Sequence, residues 1–306
     1  MIIDIHAYWD PGRMPLSQMQ QEIRKHGLGR VILSPPCTRG FEPDKSPVMY
    51  ATQRILLRSD LLRPLAELTA RSFYDARGNL RPFWRLFTRS GRPIHKVIQP
   101  DNTGLLKVID SYESFYAWYW LNPSSLPNQK QILQESQHPQ VVGFKLHAYW
   151  HPFTVEEARR VFTAAEKMGL PVYLILGFGW LAGSIRLLEQ FPTVPVIFGY
   201  GGFPYFDRLW ERIQAFRNAR VDLTSFHIDQ RGIVAAVRSL GPERCLYGSD
   251  CPYNFPDKEG RFDYSKTFDR IQRLHLDPRE KEQILGGNTQ QLLFVDKSAG
   301  IQEVLG

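Results

Sequence analysis

Along the chain, short apolar blocks alternate with longer stretches whose apolar residues recur at helical spacing. The apolar blocks predict strands over Ile2–His6, Arg30–Ser34, Phe115–Leu121, Val141–His147, Pro171–Leu176, Val194–Phe198, Arg220–Thr224 and Arg244–Gly248. Between and after them the pattern predicts helices over Leu16–His26, Thr103–Ser111, Gln129–Ser136, Thr154–Met168, Trp180–Gln190, Tyr205–Phe216, Ile228–Leu240, Tyr264–Leu274 and Pro278–Leu285. Thr154 is a suitable N-cap, with Glu156 and Glu157 in the first turn where the helix dipole favours acids. Several strands (Val-Ile-Leu, Val-Tyr-Leu-Ile-Leu, Val-Ile-Phe) are apolar without alternation, as strands buried on both faces are. A parallel sheet with helical crossovers follows, and its repeat over this length predicts a distorted TIM (β/α)8 barrel. Chemistry is then expected at the strand C-termini, where His6, Ser34, Asn122, His147, Gly177, Tyr200, Thr224 and Asp250 fall.

One segment breaks the rhythm. Residues 37–96, after the second strand, read as a long insertion with helical pattern over Met49–Ser72 and a turn at Ala76–Asn79. It is rich in arginine, including Arg54, Arg58, Arg63, Arg71, Arg77, Arg81, Arg85, Arg89 and Arg92, and it contributes to a net charge of +7. Its aromatics Phe73, Tyr74, Phe83, Trp84 and Phe87 are interleaved with the arginines, yet no nucleic-acid motif accompanies them. Solvated or paired arginines, or a rim that attracts a small anion, are the expectations, and nucleic acid is not. The 306 residues, 43% of them hydrophobic, are expected to form a single domain with a sizeable core. No apolar run approaches the ~20 residues that span a bilayer, and the first ten lack the features of a signal peptide. With three scattered cysteines, a disulfide framework is not expected, and a reducing, cytoplasmic setting is.

The candidate chemistry is densest at the two ends of the chain. A strand starting at Ile2 has period two, which predicts Asp4, His6 and Tyr8 on one side. Near the other end, Leu246-Tyr247-Gly248-Ser249-Asp250 is an apolar run ending on an acid. Lys145 and His147 share a side of the fourth strand by the same period and suit a carboxylate or phenolate. His-Ala-Tyr-Trp occurs at His6–Trp9 and again at His147–Trp150. Both copies end a strand, so Tyr8, Trp9, Tyr149 and Trp150 are expected to wall a site for a planar ligand. His227, in the seventh loop, could join them. His151 follows His147 by four, but Pro152 argues against a helical metal pair. The glycines around Gly177 and Gly199–Gly202 have the wrong spacing for a nucleotide loop.

These segments, taken in order, resemble the amidohydrolase superfamily, in particular the group that includes aromatic decarboxylases and lactone hydrolases. Asp4-Ile5-His6-Ala7-Tyr8 resembles its Asp-x-His-x-His opening, and Gly143-Phe144-Lys145-Leu146-His147 its Gly-x-Lys-x-His strand. Pro171–Ile175 resembles Pro-Val-x-x-His, and Phe198–Gly202 resembles the His-x-Gly-Gly of strand six. Leu240–Arg244 running into Leu246–Pro252 is similar to the strand that delivers the family's catalytic Asp, and Leu285–Asn288 to its C-terminal Gly-Asn signature. The family's usual metal shell takes two strand-one histidines, one each from strands five and six, and that Asp. This chain has Tyr8, Ile175 and Tyr200 at three of those places and keeps His6 and Asp250. Tyr binds a metal well only after losing a proton of pKa ~10, and Ile not at all. No cofactor is therefore expected, although zinc or manganese at a reduced site on His6 and Asp250 stays open, with Lys145 or His147 as an added ligand.

The resemblance implies hydrolysis, or carbon–carbon cleavage such as decarboxylation, of a small anionic cyclic or aromatic compound. Asp250 would be the general base, while His6, Lys145 and His147 orient and polarise the substrate. Tyr8, Trp9, Tyr149, Trp150, Tyr200, Asn122 and His227 are the expected binding residues. The other reading is a barrel that has lost catalysis and serves as a binding or assembly partner. A homodimer is compatible with either.

Overall fold

The structure, a computed structural model, describes residues 1–36, 38–39, 55–57, 59, 61–62, 64–65, 95–224, 227–253, 255 and 261–295. Most of the Arg-rich insertion lies outside these, including the expected turn at Ala76–Asn79 and two thirds of the expected helix over Met49–Ser72.

Eight parallel strands form one sheet in chain order. They are β1 (Ile2–Tyr8), β2 (Leu28–Ser34), β3 (Phe115–Trp120), β4 (Val141–His147), β5 (Val172–Ile175), β6 (Val196–Phe198), β7 (Ala219–Asp222) and β8 (Cys245–Leu246). The sheet closes through a parallel bridge between Ala7 and Cys251. The Ile5 amide donates to the Tyr247 carbonyl (3.1 Å) and the Tyr8 amide to the Cys251 carbonyl (2.7 Å) across the same seam. The architecture is the TIM barrel expected from the alternation.

Helices α1 (Leu16–His26), α2 (Asn102–Ile109), α3 (Gln129–Ser136), α4 (Val155–Lys167), α5 (Leu181–Gln190), α6 (Asp207–Ile213), α7 (Gln230–Leu240) and α8 (Tyr264–Gln272) connect or follow the strands. Among the described residues no helix is long and apolar enough to cross a membrane.

The unalternating strands are explained by two cores. Ile3, Ile5, Ile32, Trp118, Val142, Tyr173, Ile175, Ile197 and Leu246 fill the barrel interior. Their neighbours Val31, Leu33, Ala117, Phe144, Leu146, Val172, Leu174, Val196 and Phe198 pack outward under the helices. Each helix offers one apolar stripe to that outer layer. In α4 the stripe is Ala158, Val161, Phe162 and Ala165, and a capping box of Thr154 with Glu157 fixes its start.

Three elements depart from expectation near the site. Strand β8 stops at Leu246 because the Tyr247 amide leaves the sheet for the Ile284 carbonyl (3.0 Å). Helix α6 begins at Asp207, after Phe206 takes φ 47°, which no helix continues through. In β1 the pairing register shifts between Asp4 and Ala7, and this breaks the simple alternation.

Candidate active site

The shift in β1 decides where the three polar groups of the opening strand go. Ile3 and Ile5 face the barrel interior, yet His6 and Tyr8 also reach its mouth. Asp4 does not join them, contrary to the period-two expectation. Its carboxylate accepts from the amide (2.9 Å) and hydroxyl (2.5 Å) of Ser249 and from the Tyr264 hydroxyl (3.0 Å), tying β1 to the segment after β8. Burial pushes its pKa up to about 7 against those hydrogen bonds.

His6 is fully buried and bonded at both ring nitrogens. Nδ1 lies 3.0 Å from Asp222 Oδ2 and 2.7 Å from the Tyr173 hydroxyl, which also donates to Asp222. Nε2 lies 3.1 Å from the Tyr8 hydroxyl. Tyr8 in turn is 3.3 Å from the Tyr200 hydroxyl, and Tyr200 donates to Asp250 Oδ1 (3.1 Å). The gap from His6 Nε2 to Asp250 Oδ1 is 3.6 Å. First and last barrel strands thus bring imidazole and carboxylate together, with two phenols bridging them.

Backbone geometry aims this cluster. Tyr200 (φ 56°) and Asp250 (φ 59°) both adopt the left-handed region, which costs a non-glycine residue ~1 kcal/mol or more and is kept where the surroundings enforce it. The Asp250 amide donates to the His6 carbonyl (2.7 Å), so its conformation is locked to β1. Gly248 permits the approach: a Cβ there would meet the Thr224 hydroxyl, Asp222 Oδ1 at 2.6 Å and His6 Cβ at 2.9 Å.

Lys145 lies on the opposite side of Tyr8. It is completely buried, donates to Ser34 Oγ (3.1 Å), and sits over the rings of Tyr8 (4.2 Å), Trp120 (4.8 Å) and Tyr173 (5.2 Å). Ring faces carry negative potential and hold an ammonium in a dry place. Burial, seconded by the Lys145 charge, lowers His6 to about 4, so its imidazole is neutral at pH 7. His147 is lowered well below its usual range for the same two reasons. Asp250 goes the other way: burial raises it to about 8, although Lys145 and the Tyr200 hydrogen bond oppose the rise. Burial, then Asp250, holds Tyr200 well above an ordinary phenol.

The remaining expected residues divide. His147 stacks on Trp120 (5.6 Å, 4° between planes) and accepts from the Trp150 amide at 3.4 Å. Trp150 packs with Tyr8, Trp120 and Tyr253 at the mouth, and Tyr149 meets Trp150 edge-on at 5.1 Å. His227 stands 5.9 Å from the Tyr200 ring and 4.3 Å from Phe203. Trp9 packs instead against the outer core, and Asn122 spends its amide on the loop, donating to the Ile98 carbonyl and accepting from the Ser124 amide.

Three residues of the cluster were not singled out from sequence: Tyr173, Asp222 and Trp120. An acid ending the apolar Arg220–Thr224 block was the available signal for Asp222. For Tyr173 it was the period-two relation to Ile175. Among the described residues the buried Trp120 indole N–H has no hydrogen-bond partner, a feature only coordinates reveal.

Known proteins show the same scaffold. A 2,6-dihydroxybenzoate decarboxylase from Rhizobium is similar at TM-score 0.58 and 14% identity, covering 96% of this chain and 99% of that one. A dihydroxybenzoic acid decarboxylase from a Polaromonas species, with bound manganese and the inhibitor 2-nitroresorcinol, gives TM-score 0.57 at 13% identity over 96% and 97% of the two chains. An amidohydrolase from Burkholderia multivorans with bound zinc gives TM-score 0.60 at 12% identity over 96% and 99%. At such identities the likeness speaks for the fold. Among curated proteins no sequence matches significantly. The sequence profile of the amidohydrolase family matches residues 100–295, which include Lys145, His147, Tyr200, Asp222 and Asp250. The chain belongs to the amidohydrolase family of enzymes.

Proposed function

We propose that this protein acts on a small anionic, cyclic or aromatic compound, cleaving a carbon–carbon bond by decarboxylation, with Asp250 moving the proton. The observation that carries this reading is the meeting of Asp250 and His6 at 3.6 Å in a buried barrel mouth, with the Lys145 ammonium on the facing rings. An ammonium among aromatic faces suits a planar anion, and the Trp120 N–H at the same end, unmet among the described residues, adds a donor. Loss of CO2 from an aryl acid requires a proton on the ring carbon as the carbon–carbon electron pair returns to the ring. A carboxyl with a pKa of about 8 still carries its proton at pH 7, so Asp250 is poised as the acid before it serves as the base. Hydrolysis of a lactone is the second reading. The Tyr8 and Tyr200 hydroxyls favour it, since phenols can donate to a developing oxyanion.

The donor set does not fit the manganese or zinc ion held by two of the similar structures. Both nitrogens of His6 are engaged, and the hydrogen-bond partner of Asp250, Tyr200, is a phenol that burial and then the Asp250 charge keep protonated. Ile175 offers no donor. Among the described residues no group of three or more His, Cys, Asp or Glu is arranged to hold a metal. After equilibrium dialysis against Zn2+ or Mn2+ and removal of free ion, elemental analysis should find well under one equivalent bound. One tightly held equivalent would refute the metal-free reading.

Turnover is tested with dihydroxybenzoates and carboxylated lactones, following CO2 release and ring absorbance, with 2-nitroresorcinol as a binding probe. Asp250→Asn should lower kcat by about 10²–10⁴ while leaving probe affinity within a few-fold. Undiminished turnover would remove Asp250 from the chemistry. Binding of the probe with no turnover of any acid or lactone would favour the binding-partner alternative.

A further inference from the structure

Strand β3 ends on Trp120, whose backbone is held by a side chain where another strand would be expected. Pairing with β2 stops at Ala117. Beyond it, Asn102 at the start of α2 takes the neighbour's place. Its carboxamide oxygen accepts from the Trp120 amide (2.8 Å), and its NH2 group donates to the Trp120 carbonyl (2.8 Å). Asn102 is itself buried, and its own backbone amide donates to the Pro100 carbonyl (2.9 Å). The indole that this clamp presents is fully buried at the barrel mouth. It lies parallel to the His147 ring at 5.6 Å, edge-on to His151 at 6.0 Å, and 4.8 Å from the Lys145 ammonium. Half-buried Trp150 and Tyr253 pack against it and Tyr8.

An indole N–H donates and never accepts. Left unmet inside a protein it is costly, which is why buried donors are almost always paired. Among the described residues Trp120 Nε1 has no hydrogen-bond partner. The acceptors around it are already engaged. Ser34 Oγ takes the Lys145 ammonium (3.1 Å), His147 Nδ1 takes the Trp150 amide (3.4 Å), and the Trp120 carbonyl takes Asn102. An ammonium, like an indole, carries donors and no acceptor. This end of the mouth therefore calls for a ligand group that accepts only, and a carboxylate is the planar group that matches.

We propose that Trp120 is a specificity-determining residue whose indole N–H receives the carboxylate of the ligand beside Lys145, and that Asn102 is the positioning residue that holds it there. The inference rests on the proposed function for the site it serves, and it names which substituent of the ring is read and by what. Selection follows from the chemistry of the donor. A carboxylate or nitro group satisfies the buried N–H, a methyl group in the same place leaves it unmet, and an amine sets donor against donor. A hydrogen bond from an indole is also directional, so it fixes the plane of a group that the ammonium merely attracts. Asn102 acts on the ligand only through Trp120. Its two bonds to the strand fix where the indole starts, while the His147 stack fixes how the ring lies.

The test compares binding of 2-nitroresorcinol and 2-methylresorcinol by titration calorimetry. The two share a ring and both hydroxyls, and differ in whether the group between the hydroxyls can accept. The unmodified protein should bind the nitro compound at least about tenfold more tightly. Trp120→Phe keeps an aromatic ring and removes the N–H, and it should cut that ratio by about tenfold, almost wholly through weaker binding of the nitro compound. Comparing one ratio between variants cancels the different acidity of the two phenols. Asn102→Ala should lower the ratio in the same sense with the methyl compound held within a few-fold, whereas a merely structural loss would weaken both probes alike. An unchanged ratio in either variant, an equal loss of both probes, or no binding of the nitro compound to the unmodified protein overturns the proposal. If Trp120→Phe fails to fold, a crystal structure of the unmodified protein with 2-nitroresorcinol decides. A nitro oxygen within about 3.2 Å of Trp120 Nε1 supports the assignment, and a water or a protein group in that place overturns it. Selective binding without turnover of any acid would remove the decarboxylase reading alone, and turnover with an unchanged probe ratio would remove this assignment alone.

Discussion

Gly248 is the residue whose smallness most directly permits the site. The chain passes so close to β1 and β7 that a methyl group at this position would press on Thr224, Asp222 and His6 together. Two of those belong to the hydrogen-bonded cluster, and none is a flexible side-chain end. Gly248→Ala should therefore cost about 1–3 kcal/mol, as overpacking does, and lower the melting temperature by several degrees. It should also lower activity beyond any loss of folded protein, because His6 and Asp222 must part to admit the methyl. A melting curve and a turnover assay superimposable on those of the unmodified protein would show that the backbone can give way there. Asp250 illustrates the same dependence on neighbours: its left-handed φ is held by the His6 carbonyl, so its direction is set from across the seam.

Elements are joined outside the mouth by groups that contribute nothing to the chemistry. Arg244 is the clearest example. Standing just before β8, its guanidinium donates to the carbonyls of Ile213 (2.7 Å), Phe216 (2.9 Å), Gln214 (3.2 Å) and Ala219 (3.0 Å). Those carbonyls end and follow α6 and open β7, so one side chain ties the seventh strand to the eighth. Hydrogen bonds to a charged group contribute about 1.5–3 kcal/mol each when a partner would otherwise be left unmet. Arg244→Ala should destabilise by about 2–3 kcal/mol in chemical denaturation, and Arg244→Lys should recover little, since an ammonium lacks the planar fork. Full recovery by lysine would mean charge alone suffices. The register shift in β1 works at this scale too: it separates Asp4, which latches the barrel shut, from His6 and Tyr8, which face the mouth.

The whole molecule carries its buried acids and imidazoles at a cost that depends on pH. Asp4 and Asp250 are raised to about 7 and about 8 in the fold, against about 4 in the unfolded chain. The folded state therefore keeps protons that the unfolded state loses, and stability falls as pH rises through that window. His6, lowered to about 4 from an ordinary value near 6.5, acts in the opposite sense below pH ~6.5, where the unfolded chain binds the extra proton. His147 adds to the His6 effect. Above pH ~6.5 only the carboxyls remain, so stability should decline by on the order of 2 kcal/mol between pH 6.5 and 8. Melting temperatures across that range measure it, and Asp250→Asn should remove the larger share of the decline, leaving the part due to Asp4. A flat profile in the unmodified protein would mean that these carboxyls stay ionised in the fold.

The one-dimensional pattern determined the barrel and the order of its strands. Burial on both faces leaves a signature of uninterrupted apolar residues, and helix spacing and caps are local, as at Thr154. It also named His6 and Asp250, because polar residues that end apolar strands must lie at one rim of a parallel barrel. Which groups those two would meet was decided only in three dimensions. Asp222 and Tyr173 lie far along the chain from His6 and join it, as Trp120 joins Tyr8, through side-chain directions that depend on barrel curvature. Trp9 turned outward and Asp4 turned away because a single shift in register exchanges the two faces of a strand. Local sequence fixes which residues arrive at the end of each strand, while closure of the sheet fixes their partners.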